Sequence, residues 1–260
     1  VQADSIEGYF RRLEEQGISI NFGSYFSETQ ARVAVLGNSA RAPDAAELAR
    51  MQGIMRTAMR QGAMGMTTAL IYPPSAFATT DELVEVGRVA AEYGGIYASH
   101  IRDEGEGLVG AVQEAIEVGE RAGMPVEIFH YKAAFEPGWG TVIKEAAVEI
   151  EAARARGVDV AADMYPYTAG GTGLEATIPS WAFDGGNDSV QARIARPEVR
   201  ERMKREVETG FDGWWNIVES SGGWDGIVLV NARNPANAHL EGKSISVIAQ
   251  ETGKDPADAA

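Results

Sequence analysis

The feature that most restricts how this chain can fold is a repeat of strand-like and helix-like segments about every thirty residues. Apolar β-type runs are expected at 18–23 (ISINFG), 63–72 (AMGMTTALIY), 95–100 (GIYASH), 125–131 (PVEIFHY) and 157–165 (GVDVAADMY). Between the later four lies one helical segment each. Asp44 with Glu47, and Thr79 with Glu82, have the spacing of a helix-initiating capping box. The helix after Thr79 runs out at Gly94 and Gly95, and helices over about 106–122 and 139–156 run out at Gly123 and Gly157, where C-terminal glycines belong. Strands joined by single helices are parallel, which leaves a doubly wound sheet or a (β/α)8 barrel. No Gly-rich G-x-G-x-x-G turn follows an early strand, so the barrel is the expected fold.

After Thr168 the rhythm breaks. GGTGLEATIPSWAFDGGND is too long and Gly-rich for a simple strand-to-helix turn, and loops of that size usually cover sites. We expect a loop and helix insertion over about 168–225, with a helix at 197–208. A lone strand at 226–232 and a helix in SISVIAQETG should follow, then a helix start in DPADAA. The chain lacks an initial Met and stops inside that last helix, so both ends are expected to be internal points of a longer protein, with 1–260 forming one partial barrel.

Composition narrows the function. A net charge of −15 opposes nucleic-acid binding, which needs a basic face. No run of 18 apolar residues exists to span a membrane, and VQADSIEGYFRRLEE has neither region of a signal peptide. With no Cys, any metal must be held by His and carboxylates, and the absence of disulfides fits an expected cytoplasmic location.

In a parallel barrel, chemistry sits where strands end and the following loops begin. His100 and His130, two of only three histidines, end consecutive strands that would lie about 4.8 Å apart. They can share a metal ion, or each can simply hydrogen-bond at its strand end. Lys132, two residues on, would face the same side as His130 if the strand stays extended. It can bind a carboxylate, form a Schiff base, or be an ordinary loop lysine. Tyr72 ends the strand before the histidines, and Asp163, Tyr165 and Tyr167 end the strand after them. Arg102, Asp103 and Glu104 either support His100 or cap the following helix with acidic charge. His239 lies in a polar loop and is read as surface.

GAMGMTTALIYPPSAFATTDEL, YASHIRDEGEG, VEIFHYKAA and DMYPYTAGGTGL, in that order, resemble the N-acyl-D-amino-acid deacylases of the metal-dependent amidohydrolase superfamily. ATIPSWAFDGG and GKSISVIAQETGKDPADA extend the likeness over nearly the whole chain. The resemblance implies a deformed (β/α)8 TIM-type barrel beside a small β-domain, of which this chain covers about strands three to seven. It implies zinc on His100 and His130, a substrate carboxylate on Lys132, and a pocket lined by Tyr72 and Tyr165. The substrate would be a small-molecule N-acyl-D-amino acid, cleaved to a carboxylate and a free D-amino acid. The family's His-x-His pair and metal-binding cysteine are absent from these residues, and its general-base aspartate is expected outside this chain. Glu28, in SYFSETQAR, stands near the place of a histidine found in many relatives. Two other readings remain: an aldolase- or lyase-type barrel using Lys132 as Schiff-base nucleophile, and a non-catalytic segment of amidohydrolase type.

Overall fold

A computed structural model describes residues 5–260. The chain enters through α1 (Ile6–Gln16), whose first turn is capped by the Ser5 hydroxyl. A two-residue strand, β1 (Phe26–Ser27), runs directly into α2 (Glu28–Leu36), and α3 (Ala45–Arg60) follows. Strands and helices then alternate: β2 (Gly65–Ala69), α4 (Thr80–Ala91), β3 (Ile96–His100), α5 (Leu108–Ala122), β4 (Val126–Ile128), α6 (Val142–Ala155) and β5 (Val160–Ala162).

The five strands are all parallel and lie in the order β1-β2-β3-β4-β5. A doubly wound sheet reverses its strand order at a switch point. Strictly sequential order with right-handed crossovers instead puts every helix on one face, as in a sector of a barrel. Consistent with that, α3 packs on α4, α4 on α5 and α5 on α6. The core lies between this helix layer and the sheet, and includes Met51, Met55, Met66, Leu83, Val112, Val126 and Ile128. Two glycines allow close approaches, one between helix and sheet and one between the neighbouring strands β2 and β3. At Gly119 of α5 a β-carbon would come within 2.1 Å of Val126, and at Gly65, with φ of 154°, it would strike the Ile96 backbone.

Helix starts follow the sequence signals, with one informative departure. Asp44 and Glu47 form a complete capping box. Thr79 accepts from the Glu82 amide at 3.2 Å, but Glu82 does not reach back. Its carboxylate is taken up by Arg32 instead, at 2.5 and 2.6 Å, sealed between α2 and α4.

Two expected strands are absent. ISINFG (18–23) is irregular, and its Ile18, Ile20 and Phe22 are exposed. Phe22 packs edge-on to Tyr9 and Phe10 of α1, so this ring serves a helix contact, not a ladder. The strand lies a few residues later, at Phe26. GIVLVNA (226–232) makes a single antiparallel bridge, Val228 to Ser244, and leaves Val230 exposed. The other strands are shorter than the apolar runs that announce them. Residues 168–225 hold short 3-10 turns and the helices α7 (Asn187–Ile194), α8 (Pro197–Thr209) and α9 (Ile217–Ser220). Beyond them lie α10 (Ile245–Thr252) and α11 (Pro256–Ala259). No helix among the described residues is long and apolar enough to cross a membrane.

Candidate metal centre

Alternation along the sheet assigns each residue a face. Met66 and Thr68 of β2, Tyr97 and Ser99 of β3, and Val126 and Ile128 of β4 are in register and point to the helices. There Thr68, Tyr97 and Ser99 form a buried hydroxyl trio with contacts of 2.9 to 3.2 Å, and burial pushes the Tyr97 phenol up to about 12. His100 therefore points to the opposite, inner face. It ends β3, and its side chain is only 16% exposed.

The ring of His130 lies 4.5 Å from that of His100, centroid to centroid, tilted at 73°. Strand alternation does not achieve this. β4 stops at Ile128, and His130 sits in a turn with φ of 41°, the only left-handed non-glycine among the described residues. Lys132 also joins the site by folding back, not by sharing a strand face. Its ammonium donates to Glu104 Oε1 at 2.6 Å and to the His130 carbonyl at 2.9 Å, and lies 2.9 Å from His130 Nδ1.

Glu104 is the residue that sequence reasoning left between two roles. It is 3% exposed, and its Oε1 is 2.9 Å from His130 Nδ1 and 4.0 Å from His100 Nε2. Burial works to raise its pKa, but His130, His100 and Lys132 outweigh burial and hold it below the usual carboxylate range. Its backbone carbonyl accepts from Ala134, fastening the loop after β3 to the loop after β4. The other polar residues of the YASHIRDEGEG run turn away. Arg102 grips Glu114 and the carbonyls of Ala76 and Ala78, while Asp103 accepts from the Gly105 amide.

Burial lowers the His100 pKa to about 4, so at neutral pH the ring is uncharged and offers a lone pair. Its Nε2 is buried with no hydrogen-bond partner. His100, Glu104 and His130 each contribute one ligand atom, all within 4.8 Å of one another. Two imidazoles and a carboxylate suit a divalent cation such as zinc, and the unsatisfied buried nitrogen among them is the donor such a cation would engage.

The remaining expected residues close around this cluster. Tyr72 lies 5.5 Å from the His100 ring, and its hydroxyl is 2.6 Å from the Thr172 hydroxyl in the Gly-rich loop. Tyr165 lies 6.3 Å from His130 and under the Lys132 ammonium at 5.3 Å. His239 is exposed in a short 3-10 turn, away from the cluster. Glu28 is not at the mouth either. It begins α2, is fully buried beside Glu82 and Arg32, and its pKa is raised well above the usual range by burial first and by Glu82 second.

No protein-family model matches the chain. A curated N-acyl-D-glutamate deacylase of Alcaligenes xylosoxydans xylosoxydans is 39% identical over 201 residues, covering 76% of this chain and 40% of the relative. A D-aminoacylase of the same organism is 40% identical over 167 residues, 64% of this chain and 34% of the relative. The crystal structure of N-acyl-D-glutamate deacylase from Bordetella bronchiseptica, complexed with zinc and a phosphonate mimic of the tetrahedral intermediate, covers 98% of this chain at 29% identity and a TM-score of 0.75. The chain is a relative of the N-acyl-D-amino-acid deacylases. It spans 44% of that solved deacylase and less than half of the curated deacylases above. A crystal structure of D-aminoacylase, described as defining a novel subset of amidohydrolases, matches with a TM-score of 0.71 at 28% identity. The fold likeness to these deacylases thus runs through the whole sheet that carries the histidines.

Proposed function

We propose that this chain carries the metal-binding sector of a zinc-dependent hydrolase that cleaves the amide of N-acyl-D-amino acids. The products are a carboxylate and a free D-amino acid. His100 and His130 hold the ion, with Glu104 the carboxylate within ligating reach of both. The observation that carries the reading is His100 Nε2: a buried, neutral imidazole nitrogen without a partner, facing a second histidine and a carboxylate in a chain related to deacylases.

Zinc bound there supplies Lewis acidity toward the amide carbonyl and lowers the pKa of water. The protein's own groups do the rest. Lys132 receives the substrate carboxylate. Its ammonium donates to Glu104 and to the His130 carbonyl in this structure, so an incoming substrate carboxylate competes with these partners. Glu104 keeps that ammonium at the mouth. Tyr72 and Tyr165 wall the site on either side, and the Tyr72–Thr172 contact ties the Gly-rich loop over it.

The test is hydrolysis of N-acetyl-D-amino acids by the full protein, with and without a chelator. Activity lost on chelation and restored by zinc is the expected result; activity indifferent to the chelator would falsify the metal reading.

A further inference from the structure

The register of the sheet raises a problem that the structure solves in one place. Ser99 pairs with Ile128, so extending the ladder by one residue sets His100 beside Phe129, on the inner face. Val126 and Ile128 point to the helices, and a regular strand would send His130 the same way, away from His100. The left-handed turn at His130 reverses that direction and brings the two rings to 4.5 Å. A left-handed conformation is uncommon for a residue with a β-carbon, though His tolerates it better than most, and it persists only where surrounding bonds hold it.

Those bonds converge on one residue just past the end of β5. The Asp163 carboxylate accepts the His130 amide at 2.5 Å. The Asp163 carbonyl accepts the Tyr131 amide at 2.7 Å, and the Asp163 amide donates to the Ile128 carbonyl at 3.1 Å. Asp163 therefore grips the chain before, at and after the turn. From the other side, Lys132 donates to the His130 carbonyl.

We propose that Asp163 is a positioning residue, whose side chain holds His130 in the turn that aims its ring at His100. The inference rests on the reading of His130 as a metal ligand. Asp163 need not touch the ion. It acts as the outer partners of metal ligands do, by fixing the geometry in which the ligand is presented.

The experiment uses the full protein with zinc or cobalt(II) as the only probe, comparing wild type, Asp163→Ala, Asp163→Asn and His130→Ala. Affinity is read by equilibrium dialysis and ligand geometry by the visible absorption of bound cobalt. The backbone amide of His130 is followed by NMR in the metal-free protein. Asp163→Ala should weaken metal binding about 10- to 100-fold, alter the cobalt spectrum and shift the His130 amide proton upfield. Asp163→Asn keeps an oxygen acceptor and should stay near wild type on all three readouts.

If His130→Ala abolishes binding while Asp163→Ala binds metal as wild type does, positioning is wrong and the metal reading survives. The same conclusion holds even if Asp163→Ala lowers thermal stability. If wild type binds metal no better than His130→Ala, the metal reading itself has failed. Should Asp163→Ala not fold, the wild-type amide decides: a His130 proton at the shift of an amide with no hydrogen bond overturns the proposal.

Discussion

Two clusters of buried charge sit only a few elements apart and are built for opposite ends. Glu28, Arg32 and Glu82 lie between α2 and α4, each 3% exposed or less. Arg32 answers Glu82 with two bonds and the carbonyls of Ser39 and Arg41 with two more. Burial first, and Glu82 second, raise the Glu28 pKa well above the usual carboxylate range, and neither of its carboxyl oxygens has a hydrogen-bond partner. At the strand ends, Glu104 is equally buried, but its partners His100, His130 and Lys132 are 16% to 28% exposed, and His100 Nε2 is unsatisfied. Buried charge alone does not mark a functional site. What separates the two is the open face: the Glu28 carboxyl oxygens and Arg32 Nε also lack partners, but only the His100 acceptor stands at a mouth.

The strongest way to break that contrast is to remove the acceptor. His100→Ala should abolish zinc binding by the full protein, a larger loss than the roughly 10- to 100-fold typical of an outer partner. The stability loss should be smaller than that of a variant that breaks a buried ion pair, because Nε2 makes no bond. Zinc retained at wild-type affinity, measured by equilibrium dialysis, would mean that the unsatisfied nitrogen is only a packing defect.

Arg32→Met tests the other cluster and should do the reverse. It leaves Glu82 buried without its cation, at a cost of about 3–5 kcal/mol in denaturant unfolding. The variant, where it still folds, should bind zinc as wild type does. A loss of zinc affinity without a loss of stability would join the two clusters that the structure separates.

The helices were legible because their ends are written locally. Asp44 with Glu47, Thr79, Gly123 and Gly157 all act where the sequence places them. The sheet order was legible only as a choice between two folds, since strand neighbours are long-range facts. At the site, the five expected residues do gather, yet two arrive by routes that periodicity does not encode. Alternation would have turned His130 toward the helices, and Lys132 reaches it through a turn. Glu104 was ambiguous because a carboxylate four residues after a strand end can cap a helix or turn inward. Its contact with the Lys132 ammonium, 28 residues away, decides the matter. A His with an Asp one strand later was the available signal for the His130 turn, but nothing local reveals the left-handed φ.

Glu104→Gln probes the boundary between the clusters. The amide keeps the shape but removes the charge that Lys132 and the two histidines face. Zinc affinity should fall about 10- to 100-fold, with a smaller effect on stability than Arg32→Met, since Lys132 can turn to water. Unchanged affinity in a calorimetric titration would leave Glu104 as a counter-ion to Lys132 alone.

The smallest effect expected is at Glu28, and its signature is a pH dependence. Burial, with Glu82 beside it, raises the Glu28 pKa well above its ordinary value of 4.5. An acid raised on folding contributes stability that is full below the unfolded pKa and is lost as pH climbs toward the folded one, because the native state binds the extra proton. Over that window wild type should lose up to about 1.4 kcal/mol per pH unit from this group. Glu28→Gln cannot ionise and keeps the shape of the side chain. The variant should therefore match wild type near pH 4.5 and gain on it steadily above that, while zinc affinity stays the same. Parallel stability curves for the two proteins above pH 4.5 would show that folding does not raise the Glu28 pKa.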